Sequence, residues 1–130
     1  MDDPVLDTLI AALAAQPRVE VAWLYGSRAT GRETPASDYD IAVALTARET
    51  VHLSAAMLVE DLGADLSERA GAAVSIVDIN RIPVPLAYAV ISDGKTLVCR
   101  SDFRLRTEQQ RVWSLWEAYK GEHERNRSAL

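Results

Sequence analysis

The sequence has little of what several classes of protein require. It contains one cysteine, Cys99, in 130 residues, which excludes an internal disulfide and a cysteine-rich metal site. The position of Cys99 within TLVCR predicts a small buried side chain, and such sparse cysteine is typical of a reducing cytoplasm. No apolar run approaches the roughly 18 residues that span a bilayer, and the N-terminus lacks the pattern of a signal peptide. We therefore expect a cytoplasmic protein that does not enter the membrane.

Basic residues are also few relative to acidic ones. The chain has 14 Lys and Arg against 19 Asp and Glu, a net charge of −5. Broad capture of nucleic acid depends on clustered Lys and Arg, so we expect no direct nucleic-acid binding, although a local basic site stays open. The hydrophobic fraction of 48% is typical of a globular protein. The length predicts one domain over residues 1–130, with a core over about 1–100 and a C-terminal helix and polar tail over about 101–130.

Helices and strands alternate along the chain in the predicted order α-β-β-α-β-α-β-α. Asp3 and Pro4 form a helix start, and Thr46 with Glu49 forms a capping box. Helices are predicted at residues 4–15, 46–70 and 83–91, and from residue 101 or 102 onward. Strands are predicted at residues 19–25, 38–45, 73–79 and 95–100. The fold class is α/β or α+β, with a mixed sheet flanked by helices.

A polar segment between the first two strands carries the strongest functional signal. GSRATGRETPASDYD, residues 26–40, follows the first strand directly and runs into the second. Side chains alternate between the faces of a strand, so Asp38 and Asp40 point the same way about 6.6 Å apart. Carboxylates about 4 Å apart repel by roughly 4 kcal/mol at an effective dielectric near 20. A divalent cation removes this cost, and oxygen ligands favour Mg²⁺ or Mn²⁺.

The Gly-Ser turn that opens this segment suits a phosphate. Gly26 lets the backbone approach a phosphate closely, and Ser27 offers a hydroxyl and an N–H to its oxygens. Arg28 and Arg32 follow in the loop where a triphosphate would lie, although for Arg32 solvent exposure is the favoured interpretation. Each feature alone is a weak signal, because acids at strand ends are usually solvated. Their combination is what favours a phosphate and metal site.

With Gly26-Ser27, ten intervening residues and then Asp38-x-Asp40, the segment resembles the minimal nucleotidyltransferases (MNT) of the DNA polymerase β superfamily. The resemblance is specific at residues 24–43 and extends through the element order over about 1–100. It implies the polymerase β-like nucleotidyltransferase fold. It also implies a third carboxylate on a later strand, which SIVDIN offers as Asp78.

The resemblance assigns a role to each of these residues. It implies that Asp38 and Asp40 bridge two Mg²⁺ ions, and that Asp78 joins them on the ion that activates the acceptor hydroxyl. It further implies that Gly26, Ser27 and Arg28 bind the triphosphate of ATP. The alternative for Asp78 is a strand-end acid that faces solvent.

The resemblance also implies a partner. Small members of this family pair with HEPN-domain toxins in type VII toxin–antitoxin modules, where the MntA-type antitoxin adenylylates a tyrosine of the toxin. For this chain it implies Mg²⁺-dependent transfer of AMP from ATP to a HEPN toxin within a hetero-oligomer. Two alternatives stay open: an antitoxin that neutralises its partner by binding alone, and a nucleotidyltransferase that modifies a small molecule, as aminoglycoside nucleotidyltransferases do.

Three aromatic side chains at helical spacing, Trp113, Trp116 and Tyr119, are expected to pack the last helix on the domain. A partner surface is the alternative for them. His52 and His123 lack metal-ligand neighbours at suitable spacing, so we expect both to be exposed. No role is assigned to Arg81, although its position three residues after Asp78 would let it face the acceptor or the base.

Overall fold

The computed structural model describes residues 3–46 and 54–128, which form four strands and five helices. The helices are α1 (Pro4–Ala14), α2 (Ser27–Thr30), α3 (Ser54–Ala70), α4 (Val84–Asp93) and α5 (Asp102–Ser128). The strands are β1 (Val19–Tyr25), β2 (Tyr39–Leu45), β3 (Val74–Asp78) and β4 (Lys95–Cys99). The α+β class and the mixed sheet are confirmed. Within the described ranges, no helix has the length and apolarity to cross a bilayer.

The strands lie in the order β3-β2-β1-β4, with β1 antiparallel to both of its neighbours and β3 parallel to β2. The end of β1 therefore lies beside the starts of β2 and β4, and the start of β3 lies beside the start of β2. We call this edge of the sheet the Gly26 end, because Gly26 follows β1 directly. The opposite edge, where β2 and β3 finish, is the far end.

Apolar side chains cover both faces of the sheet. On the first face, Ile41 and Val43 of β2 pack with Leu9 and Leu13 of α1 and with Leu66 of α3. On the second face, most of the buried residues come from β1, β2, α4 and α5, and they include Val21, Trp23, Ala42, Val90 and Val112. Burying an aliphatic side chain of this size stabilises the fold by about 1.5–3 kcal/mol. The sheet is thus held between two helical layers, which fix the positions of the strand ends.

The last helix contacts the second face through part of its aromatic set. Trp116 stacks on Tyr88 of α4 with ring centroids 4.5 Å apart, so the expected packing is confirmed for Trp116. It is wrong for Trp113 and Tyr119, which are 53% and 41% exposed. Tyr119 stacks on Trp116, and His123 stacks on Tyr119 and is exposed as expected.

The structure also bears on the expectations for Cys99 and for the C-terminal residues. Cys99 is exposed, so the prediction of a buried thiol is wrong. The physical reason is that β4 is an edge strand, and several of its side chains face solvent. The helix predicted from residue 101 or 102 onward is α5, and it continues through the polar C-terminal residues to Ser128. Glu49 of the predicted capping box, and His52, lie outside the described residues.

A buried ionic network attaches α5 to the far end of the sheet. Glu108 is 3% exposed and accepts hydrogen bonds from Arg104 Nε at 2.9 Å, Arg111 Nε at 2.8 Å and Asn80 Nδ2 at 3.1 Å. Arg104 also pairs with Glu20 of β1 at 3.2 Å. Burial disfavours the charge of Glu108, but the hydrogen bonds from Asn80 and Arg111 and the nearby positive charges outweigh it and lower the pKa of Glu108.

Candidate active site

The turn after β1 lies directly against the carboxylate of Asp40. Tyr25, the last residue of β1, pairs with Asp40 in the antiparallel register, which brings Gly26 to the start of β2. Gly26 has φ of 74° and ψ of −156°, a region that is nearly restricted to glycine. A Cβ atom at this position would lie 2.5 Å from Oδ2 of Asp40. Only glycine lets the turn and the acid approach this closely, so the two parts of the sequence motif form one site.

The two acids of the Asp-x-Asp pair lie together at the Gly26 end. Asp40 is half-buried on β2, and Asp38 is exposed just before that strand. Burial, followed by the negative charge of Asp38, raises the pKa of Asp40 above its ordinary value. Two carboxylates that interact unfavourably at the surface fit a divalent cation such as Mg²⁺, which would balance their charge. Asp38 and Asp40 are the residues that would hold it.

Asp78 lies away from this pair, so the expected convergence of three carboxylates is wrong. In the parallel register Asp78 is opposite Val43, whereas Asp40 is opposite Ser75. Three residues along a strand span about 10 Å, which puts Asp78 at the far end. Successive side chains also alternate between faces, and Val43 belongs to the first-face core. Asp78 therefore lies on the face opposite to that of Asp40.

The surroundings of Asp78 explain its position at the far end. It is 2% exposed, so the alternative of a solvent-facing acid is wrong as well. Its Oδ1 accepts a hydrogen bond from the backbone N–H of Asn80 at 2.9 Å. Its Oδ2 lies 3.4 Å from Arg81 Nε, an ion pair without hydrogen-bond geometry. These contacts indicate a structural role in the turn after β3.

No other described acid takes the predicted place of Asp78. Across residues 3–46 and 54–128, no three His, Cys, Asp or Glu side chains form a group that could hold a metal ion. The side chain beside Asp40 on β3 is Ser75, which is exposed. Strand register was needed to find Ser75, because a hydroxyl gives no metal signal in the sequence. In the described part of the chain, Asp38 and Asp40 are therefore the candidates for metal ligands at this end of the sheet, and that role stays a prediction.

Arg28 supports the loop that leads to Asp38. Its Nε donates to the carbonyl of Ser37 at 3.0 Å and its Nη2 to that of Thr34 at 3.3 Å. The guanidinium also lies 4.0 Å from the ring centroid of Tyr39, a favourable cation–π contact. These contacts give Arg28 a structural role, and its contact with a triphosphate stays a prediction. Ser27 is half exposed at the start of α2, and its phosphate contact likewise stays a prediction.

The N-terminus of α1 supports the same region, which the sequence did not indicate. The hydroxyl of Tyr39 donates to the carboxylate of Asp3 at 3.0 and 3.1 Å. Asp3 also accepts from the backbone N–H of Leu6 at 3.0 Å and thereby caps α1. One carboxylate therefore links α1 to the start of β2.

Replacing Gly26 with alanine is expected to reduce both stability and activity. The strained backbone costs about 1–3 kcal/mol, and the new Cβ must displace the Asp40 carboxylate. Gly31→Ala is the matched control, since Gly31 has φ of 75° but no atom within 4 Å of the added Cβ. It is expected to cost about 1 kcal/mol without reducing nucleotide transfer. Thermal unfolding and a transfer assay separate the two effects, and equal transfer by both variants would contradict the close packing on Asp40.

Replacing Asp78 with asparagine is expected to leave nucleotide transfer nearly unchanged. Burial raises the pKa of Asp78 above its ordinary value of 3.8, so its contribution to stability is present below pH 3.8 and is lost as the pH rises through the folded value. As the pH rises from 3.8 through the folded pKa of Asp78, the free energy of unfolding should therefore fall less for Asp78→Asn than for the wild type. Urea unfolding at several pH values tests this expectation. A large loss of nucleotide transfer in a variant that stays folded would mean that Asp78 does take part in the active site.

The chain also matches a known protein family. Residues 7–103 match the family model described as polymerase beta, nucleotidyltransferase. No curated protein shows significant sequence similarity to the chain.

Solved structures with the same fold include chains of toxin–antitoxin complexes. A chain of a toxin–antitoxin structure with AMP-PNP superposes with a TM-score of 0.78 at 21% identity, covering 95% of this chain and 96% of that one. A chain of the MntA-HepT complex gives 0.72 at 19%, covering 96% and 95%. A chain of the tri-AMPylated Shewanella oneidensis HEPN toxin in complex with MNT antitoxin gives 0.73 at 19%, covering 96% and 94%. The family match over residues 7–103 and this shared fold lead to one conclusion: the chain belongs to the polymerase beta nucleotidyltransferase family.

Proposed function

We propose that this protein is an Mg²⁺-dependent adenylyltransferase that moves AMP from ATP onto a tyrosine of a HEPN-domain toxin, as the antitoxin of a type VII module. The observation that carries the proposal is the contact between the Gly26 turn and the Asp40 carboxylate, with Asp38 beside it. The AMP-PNP complex and the AMPylated HEPN toxin among the structures of the same fold support ATP as donor and a HEPN protein as acceptor.

The proposed reaction replaces a phosphoanhydride bond of ATP with a phosphate ester bond to the tyrosine. The tyrosine oxygen attacks the α-phosphorus of ATP, and the bond from that phosphorus to the oxygen that bridges the α- and β-phosphates breaks. Pyrophosphate leaves with the electron pair, and the hydroxyl proton is released. AMP becomes attached to the tyrosine as a phosphodiester.

Asp38 and Asp40 would bind the cation that this reaction requires. A triphosphate placed beside two carboxylates is repelled by them, and bound Mg²⁺ would supply the charge neutralisation that phosphoryl-group transfer depends on. Gly26 would let the turn approach the phosphates, and Ser27 would donate its hydroxyl and backbone N–H to their oxygens. The close contact between Gly26 and Asp40 would keep the cation and the triphosphate adjacent.

The proposed partner implies an assembly and a cellular location. The HEPN toxin is both acceptor and binding partner, so the functional form is a hetero-oligomer. We place it in the cytoplasm, where ATP is available and an exposed thiol such as that of Cys99 stays reduced.

Incubation with a HEPN-domain protein taken from the adjacent gene tests the proposed function. With ATP labelled at the α-phosphate, label should appear on the toxin, and with ATP labelled at the γ-phosphate it should not. Peptide mass spectrometry should then place AMP on a tyrosine. If the toxin stays unlabelled while the chain still neutralises it, the antitoxin acts by binding alone. If label appears only on small molecules, the acceptor assignment is wrong.

A further inference from the structure

Three side chains form a row across the sheet at the Gly26 end. Asp40 pairs with Tyr25 of β1 on one side and with Ser75 of β3 on the other. Paired residues on neighbouring strands lie about 4.8 Å apart and point to the same face. The row therefore reads Ser75, Asp40, Tyr25 across the second face. Asp40 is its only carboxylate.

Among the residues of β3, Ser75 is the one whose side chain lies beside Asp40 on the same face of the sheet. The next residue on the same face of β3 is Val77, which packs against the second-face core. Val74 and Ile76 point to the other face and pack in the first-face core. A third acidic ligand on β3 would thus have to stand at residue 75, where this chain has a neutral hydroxyl.

Charge balance then limits how many cations the described residues can hold. Asp38 and Asp40 together carry two negative charges, which balance one divalent ion. A second divalent ion close by would add two positive charges without a further acid to offset them, and hard cations such as Mg²⁺ depend on charged oxygen ligands for affinity. The expected pair of ions is therefore not supported by the acids at the Gly26 end.

We propose that this chain supplies a site for one divalent cation, held by Asp38 and Asp40, and that Ser75 occupies the position from which a third carboxylate would complete a second site. The inference rests on the proposed function only in taking Asp38 and Asp40 as the metal-binding pair. Its consequence is that any second cation must take its ligands from the nucleotide or from the acceptor protein.

Crystals grown with Mn²⁺ and an ATP analogue carrying a methylene bridge between the α- and β-phosphates test the number of sites. Anomalous diffraction is expected to show one Mn²⁺ beside Asp38 and Asp40 in the wild type and in Asp78→Asn. Ser75→Asp is expected to show a second ion, or to bind Mn²⁺ at least roughly tenfold more tightly by calorimetry, because affinity rises with the charge of the ligand set.

Two matched variants test whether any gain in Mn²⁺ affinity of Ser75→Asp depends on the position of the new acid or only on its charge or size. Ser75→Asn has nearly the size of the aspartate variant without its charge, and it should bind Mn²⁺ like the wild type. Thr96→Asp adds an acid at an exposed position of β4, two strands away from Asp40, and it should also leave binding unchanged. Tighter binding by both aspartate variants would attribute the effect to net charge and overturn the role of position 75.

The remaining outcomes separate this inference from the proposed function. Two Mn²⁺ ions that are both ligated by carboxylate oxygens of Asp38 or Asp40 in the wild type would overturn the single site and leave the proposed function intact, whereas a second ion ligated only by the ATP analogue would agree with it. An unchanged Mn²⁺ affinity in Ser75→Asp would show that position 75 does not reach the site. The absence of any ion beside Asp38 and Asp40 would overturn the metal-binding pair, and with it both proposals.

Discussion

Replacement of Asp40 by asparagine is expected to reduce AMP transfer at least about a hundredfold while the protein stays folded. Residues that merely orient a metal ligand cost 10- to 100-fold when they are removed, and Asp40 is proposed to be a ligand itself. Asparagine keeps the size of the side chain beside Gly26 but loses the charge that binds the cation. Transfer from ATP labelled at the α-phosphate measures the loss, and circular dichroism checks the fold.

The stability of Asp40→Asn has an expected sign as well. Burial and the charge of Asp38 raise the pKa of Asp40 above 3.8, so the contribution of Asp40 to stability is present below pH 3.8 and is lost as the pH rises through the folded value. At neutral pH and without metal, the variant should be no less stable than the wild type. Asp65→Asn is the control, because Asp65 is an exposed acid of α3 paired with Arg69. A drop in transfer for Asp65→Asn as well, or undiminished transfer by Asp40→Asn, would contradict the metal-binding role.

Local sequence patterns predicted the elements well because each depends on neighbouring residues. The predicted strand at residues 19–25 matches β1. Gly26 and Asp40 meet because β1 and β2 pair in antiparallel register on either side of the segment that joins them, and Tyr25 is the partner of Asp40. This pairing is local in sequence, so the spacing of the motif predicts it. The half of the site built from residues 26–40 was therefore predictable from the sequence.

Features that depend on strand register or on distant packing were not predictable. Whether Asp78 or Ser75 lies beside Asp40 depends on how β3 slides along β2, and a shift of one residue reverses every side chain. The segment SIVDIN contains Asp78, but the residues on either side of it do not indicate how β3 is aligned with β2. Likewise a glutamate in a helix usually faces solvent, so nothing in the sequence marked Glu108 as buried.

Replacement of Glu108 by alanine is expected to lower the free energy of unfolding by about 3–5 kcal/mol, because it leaves buried positive charge without its partner. Arg104 and Arg111 both contact Glu108, and the side chain of Arg104 is only 14% exposed. For a chain of this size the loss corresponds to a fall in melting temperature of roughly 10–20 °C. Glu117→Ala is the control on the same helix, since Glu117 forms an exposed ion pair with Lys120 and should cost less than about 1 kcal/mol.

The pH dependence distinguishes a charged network from simple packing at Glu108. The pKa of Glu108 is lowered from its ordinary value of 4.5, so its stabilising contribution is present above pH 4.5 and is lost as the pH falls through the folded value. The difference in unfolding free energy between the wild type and Glu108→Ala should therefore shrink in acid. Glu108→Gln, which keeps the volume, should show the same trend with a smaller loss at neutral pH. A difference that stays constant down to pH 3 would mean that Glu108 stabilises α5 through its shape, and that its charge contributes nothing measurable.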